Sequence, residues 1–195
     1  MPKPVIIEIM GMPNAGKTGA MKALIARIGP CAALYEAAVR CPIEHKFSPA
    51  FNEWTFSETM RRVLESLDSG DELIVCERGF VDTLCWMRAY FNDGLISRVQ
   101  YDAVAQYIVN CTAFAALRLV IAFTCEPSVA LAREGPRASP GQIVNLPILS
   151  KYGRALDEVL REHGGLLTDY TVLNTTHQSP EETAQVLMAI IAERI

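Results

Sequence analysis

Gly11-Met-Pro-Asn-Ala-Gly16-Lys17-Thr18 matches the pattern G-x-x-x-x-G-K-S/T at every fixed position. It follows the apolar run Val5–Met10 and precedes Thr18–Ile28, a segment of helical character. Strand, glycine-rich loop and helix in that order predict a phosphate-binding loop. Gly11 and Gly16 let the backbone curl tightly, with no Cβ in the way of phosphates. The loop N–H groups and the positive end of the following helix then converge on phosphate oxygens. The expected nucleotide-binding set is Gly11, Met12, Pro13, Asn14, Ala15, Gly16, Lys17, Thr18 and Gly19. Lys17 is placed to reach the β/γ-phosphates, and the Thr18 hydroxyl to ligate Mg²⁺.

The 195 residues are read as one domain spanning 1–195, with ample core. The formal net charge is −4, which argues against a surface that coats nucleic acid. Of the 18 basic residues, 13 are arginine, a side chain suited to planar phosphate contacts. The first apolar run is short and carries Glu8, so neither a signal peptide nor a membrane span is expected. Leu117–Cys125 is also too short to span, and it contains Arg118. The six cysteines, at 31, 41, 76, 85, 111 and 125, form no C-x-x-C pair. Free thiols in a reducing cytoplasm are expected, without zinc.

Strand-like runs at Val5–Met10, Ala32–Tyr35, Leu73–Cys76, Leu117–Thr124 and Thr171–Asn174 alternate with helical segments. The helices expected are Lys17–Ile28, Ser57–Leu67, Val81–Tyr90, Ser97–Thr112, Pro127–Arg133, Leu146–His163 and Pro180–Arg194. The last opens with Ser179-Pro-Glu-Glu182, a capping box with proline at the first helical position. Nearly all-apolar strands alternating with helices predict an α/β fold: a parallel sheet, buried by helices on both faces. Ligands then bind beyond the carboxyl ends of the strands.

Three such ends carry charge. Leu73-Ile-Val-Cys-Glu77-Arg78-Gly79 places an acid where a phosphate-loop protein holds a metal-bound water, and an arginine that could neutralise phosphate. Glu36, after the second run, could accept a proton from a substrate hydroxyl or could be an exposed loop carboxylate. Arg40 could orient Glu36 or bind substrate. After the fourth run, Arg133 and Arg137 fall in a Gly/Pro-rich stretch read as a lid over about 133–145, which would exclude water and stabilise transferring charge. Phe47, Phe51, Trp54 and Phe56 could stack on a base or pack in the core. His177 reads as an exposed polar residue.

In order along nearly the whole chain, these residues resemble the nucleoside and nucleotide kinases of the P-loop superfamily, in the thymidylate kinase and deoxynucleoside kinase group. The resemblance rests on Gly11–Thr18, Glu36, Glu77-Arg78, Pro127–Arg133 and the Asn174–Glu182 closing segment. It implies a three-layer P-loop NTPase fold with five parallel strands, Mg·ATP as phosphate donor, a nucleoside or nucleoside monophosphate as acceptor, and often a homodimer. It also implies that Glu36 is the base, that Arg78 contacts substrate and phosphate, and that Arg133 and Arg137 grip the donor phosphates. The catalytic set is then Lys17, Glu36, Arg78, Arg133 and Arg137, with Thr18 and Glu77 at the metal. No nucleic-acid polymer or membrane partner is expected. The deoxynucleoside kinases usually have Glu-Arg-Ser where this chain has Glu77-Arg78-Gly79. The pattern leaves the acceptor open, with another small-molecule P-loop kinase or a non-kinase nucleotide sensor or ATPase as alternatives. Asp-x-x-Gly after the third strand, which a GTPase switch needs, is missing.

Overall fold

The computed structural model describes residues 4–134 and 144–195. Five parallel strands form one sheet: β1 (Val5–Gly11), β2 (Ala32–Leu34), β3 (Leu73–Glu77), β4 (Leu117–Thr124) and β5 (Tyr170–Asn174). Their spatial order is β2-β3-β1-β4-β5, so β1 is central, and its neighbours pair Ile9 with Glu77 and Gly11 with Phe123. β1 is buried almost throughout, as a strand covered on both faces must be.

Helix α1 (Lys17–Ile25) packs beside α7 (Pro180–Arg194). On the other face, α3 (Phe80–Asn92) packs against α2 (Pro49–Asp68), α4 (Arg98–Asn110) and α6 (Leu146–His163), while α5 (Pro127–Glu134) joins α6. Right-handed crossovers account for that division between the faces. Gly19 is where α1 meets α7: a Cβ there would lie 3.3 Å from Pro180 Cγ. Ser179 and Glu182 form the expected capping box at the start of α7.

The expected helices and strands are present, with displaced ends. The largest correction is α2, which begins at Pro49 rather than Ser57. Ser48 accepts a hydrogen bond from the Phe51 N–H (3.2 Å) and Pro49 takes the first helical position, a start signal that lies upstream of the apolar periodicity. α1 ends at Ile25 instead of Ile28. All six cysteines are free thiols. Among the described residues, no helix is long and apolar enough to cross a membrane. Arg137 and residues 135–143 of the expected lid lie outside the described residues.

Candidate active site

At the carboxyl end of β1 the chain turns through Gly11 with φ at 124°. A Cβ on Gly11 would lie 2.1 Å from the Phe123 carbonyl oxygen. The freedom of this glycine therefore serves the close approach of β1 to β4. The Met12 N–H donates to the same Phe123 oxygen at 2.9 Å. The loop is clasped from β5 as well, where the Thr175 hydroxyl donates to the Ala15 carbonyl at 2.7 Å. Gly16, with φ at 89°, begins α1 with no side-chain cap, so the first-turn N–H groups face the cleft.

Lys17 is buried and its Nζ donates to the Gly11 (3.1 Å) and Met12 (2.7 Å) carbonyls. Burial, and then the nearby Arg78 charge, push its ammonium down to about 8. Thr18 Oγ1 donates to Glu77 Oε1 at 2.5 Å. A hydroxyl beside a carboxylate is a hard-oxygen pair that fits Mg²⁺, an ion that usually takes one or two protein oxygens and fills its shell with phosphate and water. Among the described residues there is no cluster of three or more His, Cys, Asp and Glu side chains placed to hold a metal.

Across the cleft the groups are charged side chains. Arg78 sits in the left-handed region at φ 62°, a conformation that costs a non-glycine residue about 1–3 kcal/mol and persists only when its surroundings fix it. Arg78 Nε lies 2.8 Å from Glu36 Oε1, although its N–H is not aligned for a hydrogen bond, so charge holds the pair. Arg78 Nη1 donates to both Asp82 carboxylate oxygens at 2.9 Å. Burial opposes the Arg78 charge, and the Asp82 and Glu36 carboxylates more than offset it. Asp82 also accepts from the Tyr152 hydroxyl (2.6 Å) and the Gly11 N–H (3.4 Å). Burial, reinforced by Asp82, holds the Tyr152 phenol well above its usual range, so it stays a donor. The Asp82 carboxylate thus ties Arg78 to the Gly11 loop.

Lys17, Thr18, Glu36, Glu77, Arg78 and Arg133 line one cleft of about 390 Å³. A side pocket of about 30 Å³ adjoins it, walled by Phe51, Asn52, Trp86 and Tyr90 and sharing Glu36, Lys46, Phe51 and Arg78 with the main cleft. Of the aromatic cluster flagged in the sequence, Phe51 forms this wall, while Phe56 packs in the core against Phe80 (6.2 Å). Phe47 braces the wall from behind, edge-on to Tyr90 at 5.1 Å.

Arg40 does not pair with Glu36; it pairs with Glu58 of α2 at 3.0 Å. The 3₁₀ turn Ala37–Arg40 carries it away from the cleft, and Arg78 takes the place beside Glu36. Arg133 bridges the phosphate loop and the segment after β5, donating to the Asn14 (3.4 Å) and Thr175 (2.8 Å) carbonyls. Asn14, itself at φ 57°, donates its side-chain amide to Ala130 O (3.2 Å) and to Glu134. His177 is exposed. The sequence reading missed Glu8, Asp82, Tyr152 and Thr175. For Glu8 a signal was present: one acid in a strand that is otherwise apolar.

No protein-family model matches the sequence, and no curated protein matches it. Solved structures share its fold. Deoxyadenosine kinase from M. mycoides with products dCMP and a flexible dCDP bound superposes with a TM-score of 0.77 at 12% identity, over 97% of this chain and 100% of that one. The same enzyme with bound dCTP gives 0.69 at 12% identity, over 97% and 100%. With bound dATP it gives 0.69 at 14% identity, over 96% and 99%. The fold is that of a P-loop nucleoside kinase.

Proposed function

We propose that this protein transfers the γ-phosphate of ATP to the hydroxyl of a nucleoside. The observation that carries the reading is the Glu36–Arg78 pair, 2.8 Å apart, at the boundary between the phosphate cleft and the aromatic side pocket. Phosphoryl transfer to an alcohol asks for a carboxylate at the acceptor oxygen and a fixed positive charge beside the transferring group. Deoxyadenosine kinase from M. mycoides, which has the same fold, is seen with dCTP, dATP or the products dCMP and dCDP bound, which supports a nucleoside-sized acceptor.

In this reading the loop N–H groups and Lys17 hold the donor phosphates. Thr18 and Glu77 would hold Mg²⁺, which would supply neutralisation of charge on the transferring phosphate. The acceptor base lies against Phe51 in the main cleft, beside the mouth of the side pocket. Glu36 takes the hydroxyl proton as that oxygen bonds to the γ-phosphorus and the bond to the β-phosphate oxygen breaks. Arg78 orients Glu36 and offsets charge on the transferring group.

A second reading has a nucleoside monophosphate as acceptor. It is favoured by Lys46, which lines both cavities and would place a second cation beside Arg78. ADP release, measured with ATP, Mg²⁺ and a panel of nucleosides and monophosphates, is expected to rise with at least one nucleoside. A rise with monophosphates alone would select the second reading, and no rise with any acceptor would end both.

A further inference from the structure

Glu8 is fully buried in the centre of β1, between Ile7 and Ile9. A carboxylate there is costly unless hydrogen bonds compensate it. Its partners are 73 and 74 residues away in sequence: Oε2 accepts the Val81 N–H at 3.1 Å and Oε1 the Asp82 N–H at 2.9 Å. Those are first-turn amides of α3, the groups a helix ordinarily satisfies with a Ser, Thr, Asp or Asn side chain at its N-cap. The N-cap of α3 is Gly79, which has no side chain to offer. A Cβ on Gly79 would lie 3.3 Å from Glu8 Cδ and 3.4 Å from Glu8 Oε2. Glu8 and a side chain at position 79 therefore compete for one space and for the same two N–H groups.

The capped turn also sets the acceptor side of the cleft. Asp82 donates its N–H to Glu8, while its carboxylate holds Arg78, the Tyr152 hydroxyl and the Gly11 N–H. Arg78, held at φ 62°, needs such support.

We propose that Glu8 is the cap of α3, delivered from the central strand. As a positioning residue it fixes Asp82 and through it Arg78, and glycine at position 79 is the other half of the device. With Glu8 present, a side chain at 79 is redundant as a cap and crowded against the carboxylate. Only the kinetic consequence rests on the proposed kinase reading.

The test is a double-mutant cycle of Glu8→Ala and Gly79→Ser in the full chain. It reads kcat and KM with the best nucleoside, together with amide hydrogen exchange at Val81 and Asp82. Glu8→Ala is expected to lower kcat about tenfold, the factor equivalent to losing a strong cap, and to speed exchange at both amides. KM for ATP should change less than kcat, since the Met12 N–H bond to Phe123 and the Thr175 bond to the Ala15 carbonyl hold the phosphate loop without Glu8 or Asp82. Gly79→Ser alone is also expected to be impaired. The double variant should recover kcat and amide protection, because serine caps the helix once the carboxylate is gone. Glu8→Gln retains the volume but turns an amide NH₂ towards one of the two N–H groups, and it should lie between wild type and Glu8→Ala.

The inference would be overturned by unchanged kcat in Glu8→Ala, by losses that simply add in the double variant, or by a double variant that fails to fold. Lower thermal stability with normal kcat would mean a purely structural carboxylate and would also overturn it. If the wild type phosphorylates no acceptor, the kinase reading fails separately and amide exchange alone decides. Protection regained in the double variant then supports the cap, and additive loss refutes it.

Discussion

The two walls of the cleft are built from different materials. On the phosphate side the geometry is set at the main chain: Gly11 lies against β4, the Met12 N–H bonds to Phe123, and the Thr175 side-chain hydroxyl closes on the Ala15 carbonyl. Opposite, the geometry is set by side-chain charge, in the series Glu36, Arg78, Asp82 and Tyr152. The first wall is intolerant of an added Cβ at Gly11. The charged wall is sensitive to the loss of a single hydroxyl or proton. Asp82 touches both, and Glu8 anchors the helix that carries it.

Breaking the main-chain wall should have the largest effect. Gly11→Ala puts a Cβ where a backbone oxygen stands 2.1 Å away, on a residue at φ 124°. Clash and backbone strain together should cost at least about 3 kcal/mol. The melting temperature should then fall by about 10 °C, and a variant that melts within a degree or two of wild type would refute this account of the loop.

The charged wall is probed more gently by Tyr152→Phe, which removes a 2.6 Å donor to Asp82 and little else. A buried hydrogen bond to a charged group is worth about 2 kcal/mol, so melting should drop by roughly 4–8 °C. Nucleotide affinity should not change; a loss of affinity comparable to the loss of stability would show that the two walls are not separable.

The smallest signal is protonic. Before nucleotide binds, Lys17 has its pKa pushed down to about 8, chiefly by burial. Donor phosphates favour its charged form, so binding near pH 8 should take up about half a proton, and binding at pH 6 should take up none. Calorimetry in two buffers of different ionisation enthalpy reads this number directly. Equal uptake at both pH values would assign the proton to another group.

The contrast between the walls also governs what was legible in the sequence. The phosphate loop is contiguous, and its residues announce their backbone needs through glycine and proline. The strands were legible because burial on both faces leaves continuous apolar runs such as Leu73–Cys76. The start of α2 was not, because the Ser48-Pro49 cap precedes a stretch whose aromatic residues do not follow one helical face. Arg40 sits four residues from Glu36 and invited pairing, but a 3₁₀ turn sends it to Glu58. The partner of Glu36 is 42 positions away, brought in because β2 lies beside β3 in the sheet. Glu8 was visible as an anomaly, yet its reason lies across the fold at Val81 and Asp82. Long-range side-chain pairing of this kind leaves no local period to read.

The most direct test of the central claim, that Glu36 removes a proton from an acceptor hydroxyl while the phosphate loop binds the donor independently, is Glu36→Gln. ADP release with the best nucleoside and ATP affinity should be measured on the same preparation. The account predicts a fall in kcat of about a hundredfold or more, with the ATP dissociation constant unchanged within about twofold. A nucleoside rate close to that of the wild type would contradict it.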